Sequence, residues 1–130
     1  MFIDKTKPDT IFTHFYNDLN IDHQIVSRAV MTATRPGSNT FVKQIYAFET
    51  PSSTEWSYLN DKFIPDTFIN IEDVIEKKKE YLTCYSKEMR PFPHPRSFEN
   101  LNVMAQFRGA TVNLPYAEAF ITLRRVIGIE

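Results

Sequence analysis

The pattern of apolar and polar residues begins with a short strand, a polar loop and an amphipathic helix. β-Branched and aromatic residues fill Thr10–His14, as is typical of a buried strand. After the loop, Asn20 is suited to cap a helix, and Asp22 falls in the first turn, where the helix dipole favours negative charge. The apolar residues of this helix recur at helical spacing and predict one buried stripe, formed by Ile21, Ile25, Val26, Ala29, Val30 and Ala33.

The rest of the chain predicts two more extended segments and three more helices. Residues 43–49 alternate apolar and polar side chains, and residues 63–69 also read as extended. Asn70 and Ser97 are each suited to cap a helix, and residues 117–123 are predicted to form a closing helix. About three strands and four helices therefore predict an α/β fold.

Length, charge and composition narrow the class of protein. A chain of 130 residues corresponds to one domain, so we expect residues 1–130 to fold together. The net charge of −1 gives no basic field for nucleic acid. No apolar run approaches the roughly 18 residues of a membrane span, and there is no secretory segment, so we expect a cytoplasmic protein. Cys84 is the only cysteine and is expected to be buried in a helix.

The polar loop at residues 17–23 is the first candidate site. It follows a strand and ends in a helix N-terminus, which is where ligands bind in open α/β folds. The imidazole of His23 could bind a metal, and Asp22 could orient a neighbouring donor or stabilise a charged group. The plainer alternative is a capping loop with a histidine on the surface.

The loop at residues 50–56 ends in Trp56, the only tryptophan. An aromatic ring beside hydroxyls and a carboxylate suits a sugar, which has both apolar faces and hydroxyl groups. Trp56 could equally plug the edge of the core, and the sequence leaves both interpretations open.

Three prolines stiffen the segment at residues 89–96, which excludes a helix there. Such a loop can hold His94 or Arg96 at a site, although a loop histidine between prolines is more often simply exposed. Arg108 continues the inward stripe of the helix capped by Ser97. Its charge must find a substrate oxygen or a carboxylate, for which Glu118 is the default partner.

Several segments together resemble one family. The stretch PDTIFTHFYNDLNIDHQIVSRAV resembles the C-terminal metal motif of the PIG-L, or LmbE-like, zinc-dependent N-acetylglucosamine deacetylases. The segments IYAFETPSSTEW, PHPRSFENL and RGATVNLPYAEAF follow in the family's order. The resemblance covers nearly the whole chain, and it implies the C-terminal part of a Rossmann-like LmbE-type sheet.

The resemblance also implies a chemistry. Family members bind zinc through two histidines and an aspartate, and the zinc activates a water that removes acetyl from an N-acetylated amino sugar. His23 matches the second histidine ligand, and Asp22 matches the acidic residue before it. The family interpretation makes a group of side chains candidates for binding the sugar conjugate: Asn17, Asp18, Asn20, Trp56, Arg96 and Arg108.

Two departures from the family pattern matter. The position three before the ligand is histidine in much of the family but Asn20 here, and we hypothesise that His94 supplies the missing imidazole as a catalytic group. The family's remaining zinc ligands and its base come from a His-Pro-Asp-Asp motif that this chain lacks. Since one ligand does not hold a catalytic zinc, we expect the chain alone to be inactive.

The missing segment has consequences for partners as well. Without it the strands would expose a sheet edge, which a homo-oligomer or a complementing N-terminal chain would cover. Three functions remain open: a truncated deacetylase, a noncatalytic module that binds a sugar or a protein, and a metal-free α/β domain.

Overall fold

The computed structural model describes residues 2–37, 41–58 and 61–128. Within these ranges the chain forms four α-helices and four β-strands, and 3₁₀ turns at Glu72–Val74 and Thr83–Tyr85 flank the third helix. In chain order the elements are α1 (Phe2–Thr6), β1 (Thr10–His14), α2 (Ile21–Ala33), β2 (Gln44–Phe48), β3 (Thr67–Asn70), α3 (Ile75–Leu82), α4 (Phe98–Ala110) and β4 (Ala117–Arg125).

The strands form one sheet in the order β1-β2-β4-β3. β1 and β2 are parallel, in a register that runs from Thr10 opposite Gln44 to His14 opposite Phe48. β4 pairs with β2 in the antiparallel direction. β2 has a hydrogen-bonded neighbour on each side, and its alternate side chains, Ile45 and Ala47, are completely buried. The predicted α/β class is confirmed.

The chain divides into two compact units. The first comprises the described residues up to Asp66 together with those from Phe120 onward, and the second is Thr67–Ala119. In the first unit α2 packs on β1. In the second, a small apolar cluster joins the start of α3 to the middle of α4, with Tyr116 packed against it: Ile71, Ile75 and Ala105.

Two helix starts lie where the sequence predicts them. The side chain of Asn20 accepts a hydrogen bond from the backbone N–H of Asp22 at 2.9 Å, and Ser97 accepts one from Asn100 at 3.1 Å. Each contact satisfies a backbone donor that the helix itself leaves without a partner. These capping residues could be predicted because they act within three positions of themselves.

The predicted closing helix is wrong, because Ala117–Arg125 is the strand β4. Ala, Glu and Leu favour a helix, but the segment pairs with β2, and this tertiary contact outweighs the local preference. Glu118 accepts a hydrogen bond from Lys78 on α3 at 2.5 Å. Its ion pair is therefore with that lysine instead of Arg108.

The predicted buried stripe of α2 is wrong as well. Ile21 and Ile25 are 69% and 58% exposed. The buried positions are instead Ser27 within the helix and Thr34 at its C-cap. The helix is rotated so that His23 and small polar residues face β1. Cys84 is also exposed, on the 3₁₀ turn after α3.

No helix in the described ranges is both long and apolar enough to cross a bilayer.

Candidate functional site

A polar cluster forms where β1 ends, α2 begins and the turn at residues 50–54 approaches them. His14 is the last residue of β1, and His23 lies in the first turn of α2. Asp18 lies on the loop between them, and all three belong to the first unit. The cluster lies at the carboxyl end of a strand and beside a helix N-terminus, where the sequence predicts its first candidate site.

Asp18 is the centre of the cluster and is 0% exposed. Ser53 donates a hydrogen bond to Oδ1, and Thr54 donates one to Oδ2 at 2.9 Å. The backbone N–H of Asn20 adds a third donor, 3.3 Å from Oδ1. A buried carboxylate is tolerated only when donors surround it, so this loop and the turn at residues 50–54 are fixed to each other through Asp18.

His23 lies against the same carboxylate. Its Nδ1 is 3.3 Å from Asp18 Oδ2, and its side chain is only 18% exposed. The ring N–H is not aligned for a hydrogen bond, although the separation is that of an ion pair, so the contact is electrostatic. A carboxylate behind one ring nitrogen of histidine favours the proton on that nitrogen, which leaves Nε2 as the ligating atom.

The ring of His14 stacks on the ring of His23. Their centroids are 3.9 Å apart and their planes differ by 5°. Burial lowers the pKa of His14 below its ordinary value, and the nearby charge of His23 lowers it further, against a smaller opposing effect of Asp18. His14 is therefore held as a neutral imidazole at neutral pH.

The other predicted residues of the loop point elsewhere. Asn17 donates a hydrogen bond from its amide to the backbone carbonyl of Asp61 at 2.7 Å. Asn20 is occupied in capping α2, and Asp22 is exposed in the first turn. Trp56 is 38% exposed, and it follows Thr54 by two residues.

Three predicted site residues belong to the second unit. The backbone N–H of Arg96 donates to His94 Nδ1 at 3.0 Å, and the guanidinium of Arg96 pairs with Glu88 at 2.8 Å. Arg108 lies on α4, with its guanidinium 5.3 Å from the centre of the Phe107 ring. The contacts just described for these side chains lie within the second unit.

The cluster does not complete a zinc site. Among the described residues there is no group of three or more histidine, cysteine, aspartate or glutamate side chains placed to bind a metal. An imidazole donates its lone pair in its own plane, so two parallel rings 3.9 Å apart cannot both point at one ion. With Asp18 occupied by its donors, the described residues offer one ligand where a catalytic zinc takes three.

Sequence reasoning missed three members of the cluster: His14, Ser53 and Thr54. The two hydroxyl residues lie 35 and 36 positions from Asp18, and no local pattern reports such a contact. His14 did carry a signal, because it ends a strand whose carboxyl end was expected to form a site.

Comparison with known proteins supports the fold alone. The chain superposes on the crystal structure of the conserved protein TT1542 from Thermus thermophilus with a TM-score of 0.71 and 19% sequence identity. The match covers 98% of this chain and 57% of that one, so this chain spans little more than half of its neighbour's length. No family model matches the sequence, and no curated protein matches it significantly.

Proposed function

We propose that this chain is the C-terminal part of a PIG-L/LmbE-like deacetylase, with a Rossmann-like sheet, that acts on N-acetylated amino sugars. The observation that supports the proposal most is His23, an imidazole held against a fully buried carboxylate at the carboxyl end of β1. Metal-binding histidines are oriented in this way by a carboxylate behind the ring. His23 is then one zinc ligand, and the other ligands come from outside the described residues.

This assignment gives the chain a limited part in the reaction. Because the described residues do not complete a zinc site, we assign no hydrolytic step to them. Asp18 keeps the His23 ring in place, and the exposed Trp56 follows the turn whose hydroxyls donate to Asp18. An aromatic ring suits the apolar face of a sugar.

The test begins with the coding DNA upstream of Met1, read in all frames for a strand followed by His-Pro-Asp-Asp. If the segment is present, the joined polypeptide should release acetate from an N-acetylglucosamine conjugate, and His23→Ala should abolish the release. Ile25→Ala is the matched control, because Ile25 lies on the exposed face of the same helix. Unchanged activity in His23→Ala, or absence of the segment, would overturn the deacetylase assignment.

A second function is a noncatalytic module that binds an amino sugar, favoured by the exposed indole of Trp56. Trp56 is the only tryptophan, so its fluorescence reports on the turn at residues 50–56. Quenching by N-acetylglucosamine in the presence of a chelator would favour this function. Binding that requires zinc would favour the first.

A further inference from the structure

The ring of His14 contacts other side chains in ways that its position at the end of a strand does not require. We propose that His14 is the second imidazole of this site and hydrogen-bonds the acetamide group of a bound N-acetyl amino sugar. The inference rests on the proposed function and replaces the hypothesis that His94 has this role. From the sequence, His14 was predicted only to end a strand. The proposal adds that it contacts the ligand.

Three contacts fix the His14 ring. It stacks on His23 with the centroids 3.9 Å apart, and it meets the ring of Phe48 at 4.7 Å and an angle of 59°. The hydroxyl of Thr50 is 3.4 Å from Nδ1. A ring held by such contacts loses little conformational freedom when a ligand binds, which is the property required of a group that positions a substrate.

The same contacts decide which atom can meet a ligand. Nδ1 is turned towards Thr50, so the other ring nitrogen, Nε2, is left for a ligand. Within the described ranges, no hydrogen bond reaches Nε2. The side chain is half-buried, so a ligand can approach it. A neutral imidazole has one donor and one acceptor nitrogen, and an acetamide offers a carbonyl acceptor and an N–H donor.

The surroundings of His94 differ. Its Nδ1 accepts the backbone N–H of Arg96, and its backbone N–H donates to the carbonyl of Pro91 at 3.1 Å. These contacts close the proline loop on itself and belong to the second unit. They describe a residue that shapes its own loop, whereas the contacts of His14 fix a ring beside the proposed ligand His23.

The chain has only three histidines, so each ring can be followed separately by NMR after isotope labelling of histidine. We expect N-acetylglucosamine to shift the ring signals of His14 and to leave those of His94 unchanged. Glucosamine, which lacks the acetyl group, should shift His14 less. A shift at His94 but not at His14, equal shifts with both sugars, or no shift at either ring would overturn the proposal.

Substitutions give a second measurement. His14→Phe keeps an aromatic ring for the stack but removes both nitrogens, and we expect binding of N-acetylglucosamine to weaken about tenfold, which corresponds to about 1.4 kcal/mol. His94→Phe is the matched control and should bind like the wild type. His14→Gln, which keeps hydrogen-bonding atoms on a smaller side chain, should retain part of the affinity. Equal affinity of His14→Phe and wild type would contradict the inference.

Zinc added alone to the polypeptide joined to its upstream His-Pro-Asp-Asp segment, which supplies the ligands that the described residues lack, tests the proposed function separately. It should shift the ring signals of His23 in wild type and in His14→Phe alike. Loss of the sugar response of His14 with a retained zinc response of His23 would reject the inference and leave the proposed function standing. A sugar response at His14 without any zinc response at His23 would reject the zinc assignment and leave the inference standing.

Discussion

Histidines flank one loop of this molecule and lie within another, and the two loops are constructed differently. The loop before α2 surrounds Asp18 with donors from a turn 35 residues away, and the carboxylate is 0% exposed. In the proline loop, Arg96 pairs with Glu88 across side chains that are 35% and 64% exposed. Burial strengthens electrostatic contacts and makes their loss costly, whereas water weakens an exposed ion pair. The first loop therefore holds its imidazole against a buried charge, whereas the proline loop holds His94 through a backbone hydrogen bond beside a hydrated ion pair.

Removing the buried carboxylate should have the largest effect. Asp18→Ala leaves Ser53 and Thr54 without their acceptor and opens a polar cavity, so we expect the free energy of unfolding to fall by about 3 kcal/mol. Denaturant unfolding followed by circular dichroism measures it. Asp22→Ala is the matched control, because Asp22 is exposed in the first turn of α2, and it should cost well under half as much. Equal losses in the two variants would remove the distinction between a buried and an exposed carboxylate.

Two serine substitutions, one in each region, should differ less in unfolding free energy than the two aspartate variants do. Ser53→Ala removes a donor from a buried charge, and we expect a loss of about 2 kcal/mol in unfolding free energy. Ser97→Ala removes the N-cap of α4, which is expected to cost about 1 kcal/mol. The same unfolding experiment compares them. A larger loss for Ser97→Ala would mean that the cap, and not the Asp18 network, is the stronger local restraint.

Protonation of His14 should cause folding stability to depend on pH. Its pKa lies below the ordinary value of 6.5 in the folded chain, chiefly because of burial, so below 6.5 the unfolded chain binds more protons. Stability therefore rises with pH up to that value and is lost as the pH falls below it. His14→Gln should lose less stability than wild type between about pH 7 and pH 5, since it removes this linkage. His94→Gln is the control, and a loss as small as that of His14→Gln would contradict the assignment to His14.

What the sequence could predict depends on how far apart the interacting residues lie. Asn20 and Ser97 act on backbone groups two and three positions away, and both caps were predicted. The strand β4 was missed because its partner, β2, is about 75 residues distant along the chain, and its composition alone favours a helix. The rotation of α2 was missed for the same reason. Its apolar stripe is a local pattern, whereas the contacts of His23 with Asp18 and His14 exist only in the folded chain.

The smallest effect should come from the exposed ion pair of the proline loop. Glu88→Gln removes the charge that faces Arg96, and we expect at most about 0.5 kcal/mol of unfolding free energy to be lost, because both groups remain hydrated. Added salt should weaken the wild-type pair and bring the two proteins still closer in stability. If Glu88→Gln instead cost as much as Asp18→Ala, the proline loop would be as firmly constructed as the loop before α2. His94 would then be held as firmly as His14. The difference between the two loops would no longer favour His14 as the residue that contacts the ligand.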